Sequence, residues 1–136
     1  MTNTNAKIRK GSATTGPVIY NWNGKKLIIG NASYGEVAFN FDGTIIREGN
    51  SKYNKALYNW DGTNLRKGNL KTGDILYNWL DGKLVKGSVS TATVAYNWSD
   101  GKMRKGNHKE GDIVYNWEGE VPVPILIIIL LTNGDL

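Results

Sequence analysis

Aromatic and polar residues alternate in a tripeptide that returns every 19 residues along most of this chain. Its outer positions are aromatic and its middle position is always asparagine. The six copies are Tyr20-Asn21-Trp22, Phe39-Asn40-Phe41, Tyr58-Asn59-Trp60, Tyr77-Asn78-Trp79, Tyr96-Asn97-Trp98 and Tyr115-Asn116-Trp117. Such alternation is typical of a β-strand with one apolar face. The fixed period predicts a repeat architecture in which one supersecondary unit is copied.

Each copy continues into a turn and a second strand. The turn dipeptides are Asn23-Gly24, Asp42-Gly43, Asp61-Gly62, Asp81-Gly82 and Asp100-Gly101. Between apolar runs, these dipeptides predict two-residue hairpin loops, because both residues tolerate positive φ angles. Beyond the turn, an apolar column is followed by a glycine column: Leu27, Ile46, Leu65, Leu84 and Met103, then Gly30, Gly49, Gly68, Gly87 and Gly106. The repeated unit is therefore predicted to be a β-hairpin.

The turn falls one residue later in the fourth and fifth units, although the period is unchanged. With two-residue loops this moves the cross-strand partner by two residues, which preserves side-chain parity. Tyr, Trp and the following Leu are therefore predicted to share one face, which suits a core. The opposite face carries the asparagines and a mixed column of Ile28, Arg47, Arg66, Val85 and Arg104.

Half a repeat stands at each end of the repeated region. Residues 7–11 match a second strand with no first strand before it, and residues 113–117 match a first strand whose partner is missing. We predict that the N-terminal strand completes the sixth hairpin and closes about twelve antiparallel strands into an all-β ring or barrel, which removes exposed edges. The hairpin repeats span residues 7–119 of a single domain, residues 1–136. A β-trefoil-like fold and an open hairpin solenoid are the alternatives.

The C-terminal segment, residues 120–136, contains an uninterrupted apolar run from Val121 to Leu131. A transmembrane helix needs ~17–25 apolar residues, so this run is too short to span a membrane. Pro124 suits the first turn of a helix, whereas Ile127-Ile128-Ile129 favours a strand, and both remain open. The run is predicted to plug the barrel, to cover one mouth of it, or to contact a second copy in a homo-oligomer.

Composition narrows the chemistry that the chain can perform. The 136 residues include no cysteine and one histidine, His108, which excludes thiol chemistry and the usual transition-metal sites. Most carboxylates occupy turns or precede a first strand, where they bond neighbouring backbone. We expect no enzyme activity and no cofactor. Residues 1–5 lack the pattern of a secretory signal, which is compatible with the cytoplasm, although the localisation stays open.

The asparagine column is the leading candidate for ligand contact. Amides flanked by basic residues could bind sugar hydroxyls or an anionic polymer at several places at once. Avidity would then raise the overall affinity above that of any single contact. The candidate residues are Asn21, Asn40, Asn59, Asn78, Asn97, Asn116, Arg47, Arg66 and Arg104. The same amides could instead bond local backbone and fix the strand register.

Three function classes remain. The leading one is a non-enzymatic binding module with repeated shallow sites, for which carbohydrate, bound in the manner of a lectin, is the candidate ligand. The second is a structural or assembly protein that uses its apolar tail or ring face. The third is a binder of anionic surfaces through a basic belt, which the net charge of +5 would favour. Nucleic acid is not expected, because the aromatic residues are assigned to the core face.

In architecture, short hairpin repeats with aromatic and glycine positions resemble MORN repeats and the choline-binding repeats of bacterial surface proteins. The Tyr-x-Gly-x-Trp spacing of the first and the Gly-Trp start of the second are missing here. The resemblance therefore implies no function for this chain.

Overall fold

The computed structural model describes residues 5–32, 34–88 and 93–136. Residues 1–5, which lack the pattern of a secretory signal, lie largely outside these ranges, since residues 1–4 are not described. The elements are β1 Ala6–Lys10, β2 Val18–Trp22, β3 Lys26–Ile29, β4 Val37–Phe41, β5 Ile45–Glu48, β6 Ala56–Trp60, β7 Asn64–Lys67, β8 Ile75–Leu80, β9 Lys83–Lys86, β10 Val94–Ser99, β11 Lys102–Lys105, β12 Ile113–Glu118 and α1 Val123–Thr132.

All twelve strands belong to one closed antiparallel barrel. Consecutive strands are neighbours throughout, and β1 closes the ring by pairing with both β2 and β12. We number the hairpins 1 to 5 from β2–β3 to β10–β11, and hairpin 6 is the pair β12 and β1, which no turn connects. The predicted closed barrel is confirmed, and the trefoil-like and open solenoid alternatives are excluded because every strand has two partners.

The strand register is the same in every hairpin. Trp22 lies opposite Leu27 in hairpin 1, and Trp79 lies opposite Leu84 in hairpin 4. In hairpins 4 and 5 the aspartate and glycine form two-residue loops, and both residues have positive φ angles, 52° at Asp81 and 78° at Gly82. The turn that falls one residue later therefore does not change which side chains face each other.

Hairpins 1 to 3 have longer loops than predicted. In hairpin 1 the side-chain oxygen Oδ1 of Asn23 accepts hydrogen bonds from the backbone N–H groups of Lys25 and Lys26 at 3.0 and 2.8 Å. Asp42 and Asp61 form the same pattern in hairpins 2 and 3. The predicted two-residue loops are wrong here, and so is the predicted shift of pairing by two residues. The parity prediction holds because the register does not move.

The aromatic and aliphatic columns face the inside of the barrel. Ile8, Leu27, Ile46, Leu65, Leu84 and Met103 are completely buried. Each of them lies between an aromatic residue of its own hairpin and one of the next, as Leu27 lies between Trp22 and Phe39. The predicted core face is therefore confirmed, and Ile8 of the N-terminal strand takes the sixth place in the aliphatic column.

The apolar run forms helix α1, which lies inside the barrel. Ile125 to Leu130 are each at most 1% exposed. Six consecutive residues cover every side of a helix, so the barrel must surround it. Pro122, just before the helix, lies near Trp22 and Gly24 at the end of the barrel that carries the turns. Among the described residues, no helix has the length and apolar character needed to cross a membrane.

The C-terminal residues close the opposite end of the barrel, where loops connect one hairpin to the next. The Tyr96 hydroxyl donates to the Asp135 backbone oxygen at 2.8 Å, and the Tyr115 hydroxyl donates to Asp135 Oδ2 at 2.6 Å. Asn133 Nδ2 donates to the Tyr20 hydroxyl at 3.2 Å. These bonds anchor the tail to three adjacent hairpins, 5, 6 and 1, so the segment acts as a plug.

Candidate functional site

The six asparagines of the tripeptide are buried, each with 3–9% of its surface exposed. Each side-chain nitrogen Nδ2 donates to the carbonyl oxygen of the glycine that ends its hairpin, at distances from 2.6 to 3.0 Å. Asn40, Asn59, Asn97 and Asn116 also donate to a second carbonyl two residues further on. The Nδ2 groups therefore hold the connecting loops in place.

The candidate arginines lie directly opposite these asparagines across their hairpins. Arg47 pairs with Asn40, and Arg104 pairs with Asn97. Arg66 faces Asn59 in the same way. Arg9, which was not among the candidate residues, occupies the equivalent place opposite Asn116 in hairpin 6. Arg9 lies 19 residues before Ile28, the first residue of the mixed column. This spacing was the signal in the sequence that could have identified it.

The four arginines have two different sets of partners. Arg47 forms an ion pair with Asp42 at 3.4 Å, and Arg66 forms one with Asp61. In contrast, Nε of Arg104 donates to the Gly111 carbonyl at 3.0 Å, and Nε of Arg9 makes the equivalent bond to Gly16. Hairpins 1 and 4 carry buried Ile28 and Val85 at this position. The asparagine and arginine face is therefore not sixfold symmetric.

The turn aspartates of hairpins 2 and 3 are held ionised. Partial burial acts to raise the pKa of Asp61, but the backbone N–H of Asn64 and the Arg66 guanidinium outweigh it and lower that pKa well below its usual range. The pKa of Asp42 is lowered too, where burial is opposed by the backbone N–H groups of Ile45 and Thr44 and by Arg47. These carboxylates therefore act as acceptors within their own hairpins.

Grooves open on the outer surface between neighbouring hairpins. Three of them contain the same kinds of residue: groove 6/1 of about 470 Å³, groove 1/2 of about 730 Å³ and groove 4/5 of about 80 Å³, each named by the two hairpins that border it. Their shared lining consists of a lysine, a tripeptide asparagine with its aromatic neighbour, and a loop asparagine. The sets are Lys7, Asn21, Trp22 and Asn31; Lys26, Asn40, Phe41 and Asn50; and Lys83, Asn97, Trp98 and Asn107.

The register between hairpins brings these residues together. Lys26 lies opposite Asn40 of the following hairpin, and Lys83 lies opposite Asn97 in the same way. The pairs Lys7 with Asn21 and Lys102 with Asn116 repeat the arrangement. Sequence reasoning missed this lysine column because it considered pairing only within a hairpin. The 19-residue spacing of Lys7 and Lys26 was the signal that could have revealed it.

The grooves offer polar contacts without paired acids for catalysis. The loop asparagines Asn31, Asn50 and Asn107 are exposed, and an amide can both donate and accept. In groove 6/1, Lys7 Nζ donates to Asn31 Oδ1 at 3.0 Å. Each of the three grooves is lined by a single carboxylate. Within residues 5–32, 34–88 and 93–136, no three His, Cys, Asp or Glu side chains are grouped so that they could hold a metal ion.

A closed barrel of six hairpins around an internal helix defines a repeat-built β-protein with sixfold pseudosymmetry. Residues 8–126 match the family model described as "6-fold beta flower protein", and the chain belongs to this family. The comparisons with curated proteins and with solved structures give no match.

Proposed function

We propose that this protein is a non-enzymatic binding module whose grooves between hairpins hold a polar polymer, with carbohydrate as the leading ligand class. One observation carries the proposal: the same combination of lysine, tripeptide asparagine and exposed loop asparagine recurs in three grooves. Repetition of a groove around a rigid barrel suits a ligand that itself repeats, because several weak contacts then add through avidity.

The chemistry of the grooves supports a ligand rich in hydroxyl groups. Exposed amides of Asn50 and Asn107 can donate to and accept from hydroxyls, while the Lys26 and Lys83 ammonium groups donate only. The tripeptide asparagines Asn40 and Asn97 keep the loop that carries each exposed amide in position through their bonds to Gly49 and Gly106. Binding therefore requires little ordering of the protein, which reduces its entropic cost.

A glycan array followed by titration calorimetry tests the proposal. The double variant Asn50→Ala, Asn107→Ala removes two exposed groove amides and should weaken saturable binding, while its thermal unfolding should match the wild type. Thr72→Ala, an exposed loop substitution outside the three grooves, is the control and should bind normally. Absence of saturable glycan binding by the folded protein would contradict the proposal.

The assembly alternative has less support from the surface. Its apolar tail is enclosed by the barrel of the same chain, since Ile125 to Leu130 are at most 1% exposed. The ring face remains available to a partner. Light scattering coupled to size exclusion separates the two classes, because a stable oligomer without glycan binding would favour assembly.

A further inference from the structure

Lysines are unevenly distributed among the six positions that border the grooves. Four successive positions around the barrel carry Lys83, Lys102, Lys7 and Lys26, each opposite a tripeptide asparagine of the following hairpin. We call these four residues the lysine arc. The two remaining positions carry Ile45 and Asn64. At these six positions, therefore, one side of the barrel is basic and the other side is uncharged.

The arginines on the other side of the barrel are held in ion pairs. On the side without lysines, Arg47 and Arg66 are neutralised by Asp42 and Asp61. Across the part of the chain that the structure describes, these are the two ion pairs present, and neither involves the lysine arc. The charges of the lysine arc are therefore available to attract an anionic ligand.

The balance of positive and negative charges differs between the grooves on the basic side. Groove 1/2 contains Lys25, Lys26 and Lys52, and its carboxylate, Asp42, is already bound by Arg47. Groove 4/5 contains Lys83 and Lys109 against Asp81. In groove 6/1, Lys7 is balanced by Glu118. Of these three grooves, groove 1/2 therefore has the largest excess of positive charge, and grooves 4/5 and 1/2 lie at the two ends of the lysine arc.

The spacing of the grooves limits the polymers that fit. Each hairpin contributes two strands, so successive grooves lie about 10 Å apart along the sheet. A polysaccharide with an acidic group on every second sugar repeats its charge at a comparable distance. Single-stranded nucleic acid carries its charges far more closely and is usually held by stacking on exposed aromatic rings. Trp22, Phe41 and Trp98 are at most 8% exposed, so these grooves offer no such platform.

We propose that the lysine arc selects an acidic polysaccharide with a carboxylate or sulfate on alternate sugars, which follows the arc around the barrel from groove 4/5 to groove 1/2. This inference rests on the proposed function, namely that the grooves bind a polymer. Lysine ammonium groups pair with the acidic groups, and the neighbouring exposed asparagines contact the hydroxyls of the sugars. Arg47 and Arg66, which are held in ion pairs, lie outside the arc.

The test compares two oligosaccharides of equal length by titration calorimetry. One alternates glucuronate with N-acetylglucosamine, and the other contains only N-acetylglucosamine. The variant Lys26→Gln, Lys52→Gln, Lys83→Gln should bind the acidic oligomer about tenfold more weakly, which corresponds to ~1.4 kcal/mol. The control Lys71→Gln, Lys86→Gln, Lys105→Gln removes the same charge from exposed residues outside the three grooves and should bind nearly as the wild type does. Raising the salt concentration should weaken binding of the acidic oligomer.

The outcomes separate this inference from the proposed function. Equal binding of both oligomers would overturn the preference for acidic sugars and leave the binding module intact. Equal loss in the control variant would overturn the role of the lysine arc. Tighter binding of mixed-sequence single-stranded DNA, lost in the groove variant, would replace the polysaccharide by nucleic acid. Failure to bind any glycan of the array would instead contradict the proposed function itself.

Discussion

Asn116 Nδ2 donates a hydrogen bond to the Gly11 carbonyl oxygen at 2.6 Å, although 105 residues separate the two in the chain. The same bond joins Asn21 to Gly30, only nine residues away, also at 2.6 Å. The pair of strands at the two ends of the repeated region therefore reproduces the geometry of a continuous hairpin. Closure of the barrel depends on side-chain and backbone bonds here, since no turn connects β12 to β1.

The asparagine bonds predict a stability effect for Asn59→Ala. Asn59 is 3% exposed and donates to the carbonyls of Gly68 and Leu70 at 3.0 and 3.1 Å. Its removal takes away the donor to two partly buried carbonyl oxygens, so the free energy of unfolding should fall by ~1–3 kcal/mol. Urea unfolding measures this. Asn50→Ala, at an exposed position, should change stability by no more than ~0.5 kcal/mol, and equal effects would contradict a structural role for Asn59.

The internal helix predicts a larger loss for Ile127→Ala. Ile127 is completely buried in the barrel interior, so truncation opens a cavity that the surrounding closed sheet cannot easily collapse. We expect a loss of ~2–5 kcal/mol in the free energy of unfolding. Ile29→Ala, at an apolar residue that is 47% exposed, should cost much less. Similar losses in both variants would place the helix outside the core.

Two turn glycines, Gly101 and Gly62, predict different responses to substitution by alanine. An added Cβ at Gly101 would lie 2.1 Å from the Trp117 carbonyl oxygen, and φ is +75°. At Gly62 the φ of +102° is also unfavourable for alanine, but nothing lies within 4 Å. Gly101→Ala should therefore lower the melting temperature more than Gly62→Ala does. A reversed order in differential scanning calorimetry would contradict this packing.

The Arg66–Asp61 ion pair predicts a dependence of stability on pH. The pKa of Asp61 is lower in the folded protein than in the unfolded chain, where it is about 3.9. The ionised form is therefore favoured by folding: its contribution is present above the unfolded pKa and is lost as the pH falls through the folded pKa. The stability advantage of the wild type over Asp61→Asn should be constant near neutral pH and should shrink below about pH 4. An advantage that does not change in acid would contradict the pair.

Much of the fold follows from the sequence because local rules determine it. Tyr, Asn and Trp alternate with the period of a strand, and the turn dipeptides punctuate the chain at fixed intervals, so hairpins and their core face follow directly. Closure follows too, since Ile8 and Gly11 continue the columns of Leu27 and Gly30. The loop lengths of hairpins 1 to 3 do not follow, because Asn23 and its equivalents bond backbone N–H groups in a pattern that the dipeptide alone does not distinguish from a two-residue turn.

Sequence reasoning missed the grooves for a related reason. The pairing of Lys26 with Asn40 joins different hairpins, and the register there shifts between Leu27 and Ile28. Such a bulge inserts an extra residue into one strand, so the facing residues cannot be counted from the turn. The sequence therefore indicated the tripeptide asparagines but not the lysines beside them. Only the tertiary structure showed that these residues line common grooves with the exposed loop asparagines.

The state of the apolar run was decided by its surroundings. Ile127-Ile128-Ile129 favours a strand by propensity, yet residues 123–132 form a helix. In a closed barrel every strand already has two partners, so a segment in the centre finds no free backbone groups to pair with. A helix satisfies its own N–H and C=O groups, which must be paired when buried. The sequence by itself determined that this run is buried, and closure of the barrel around it determined that it is helical.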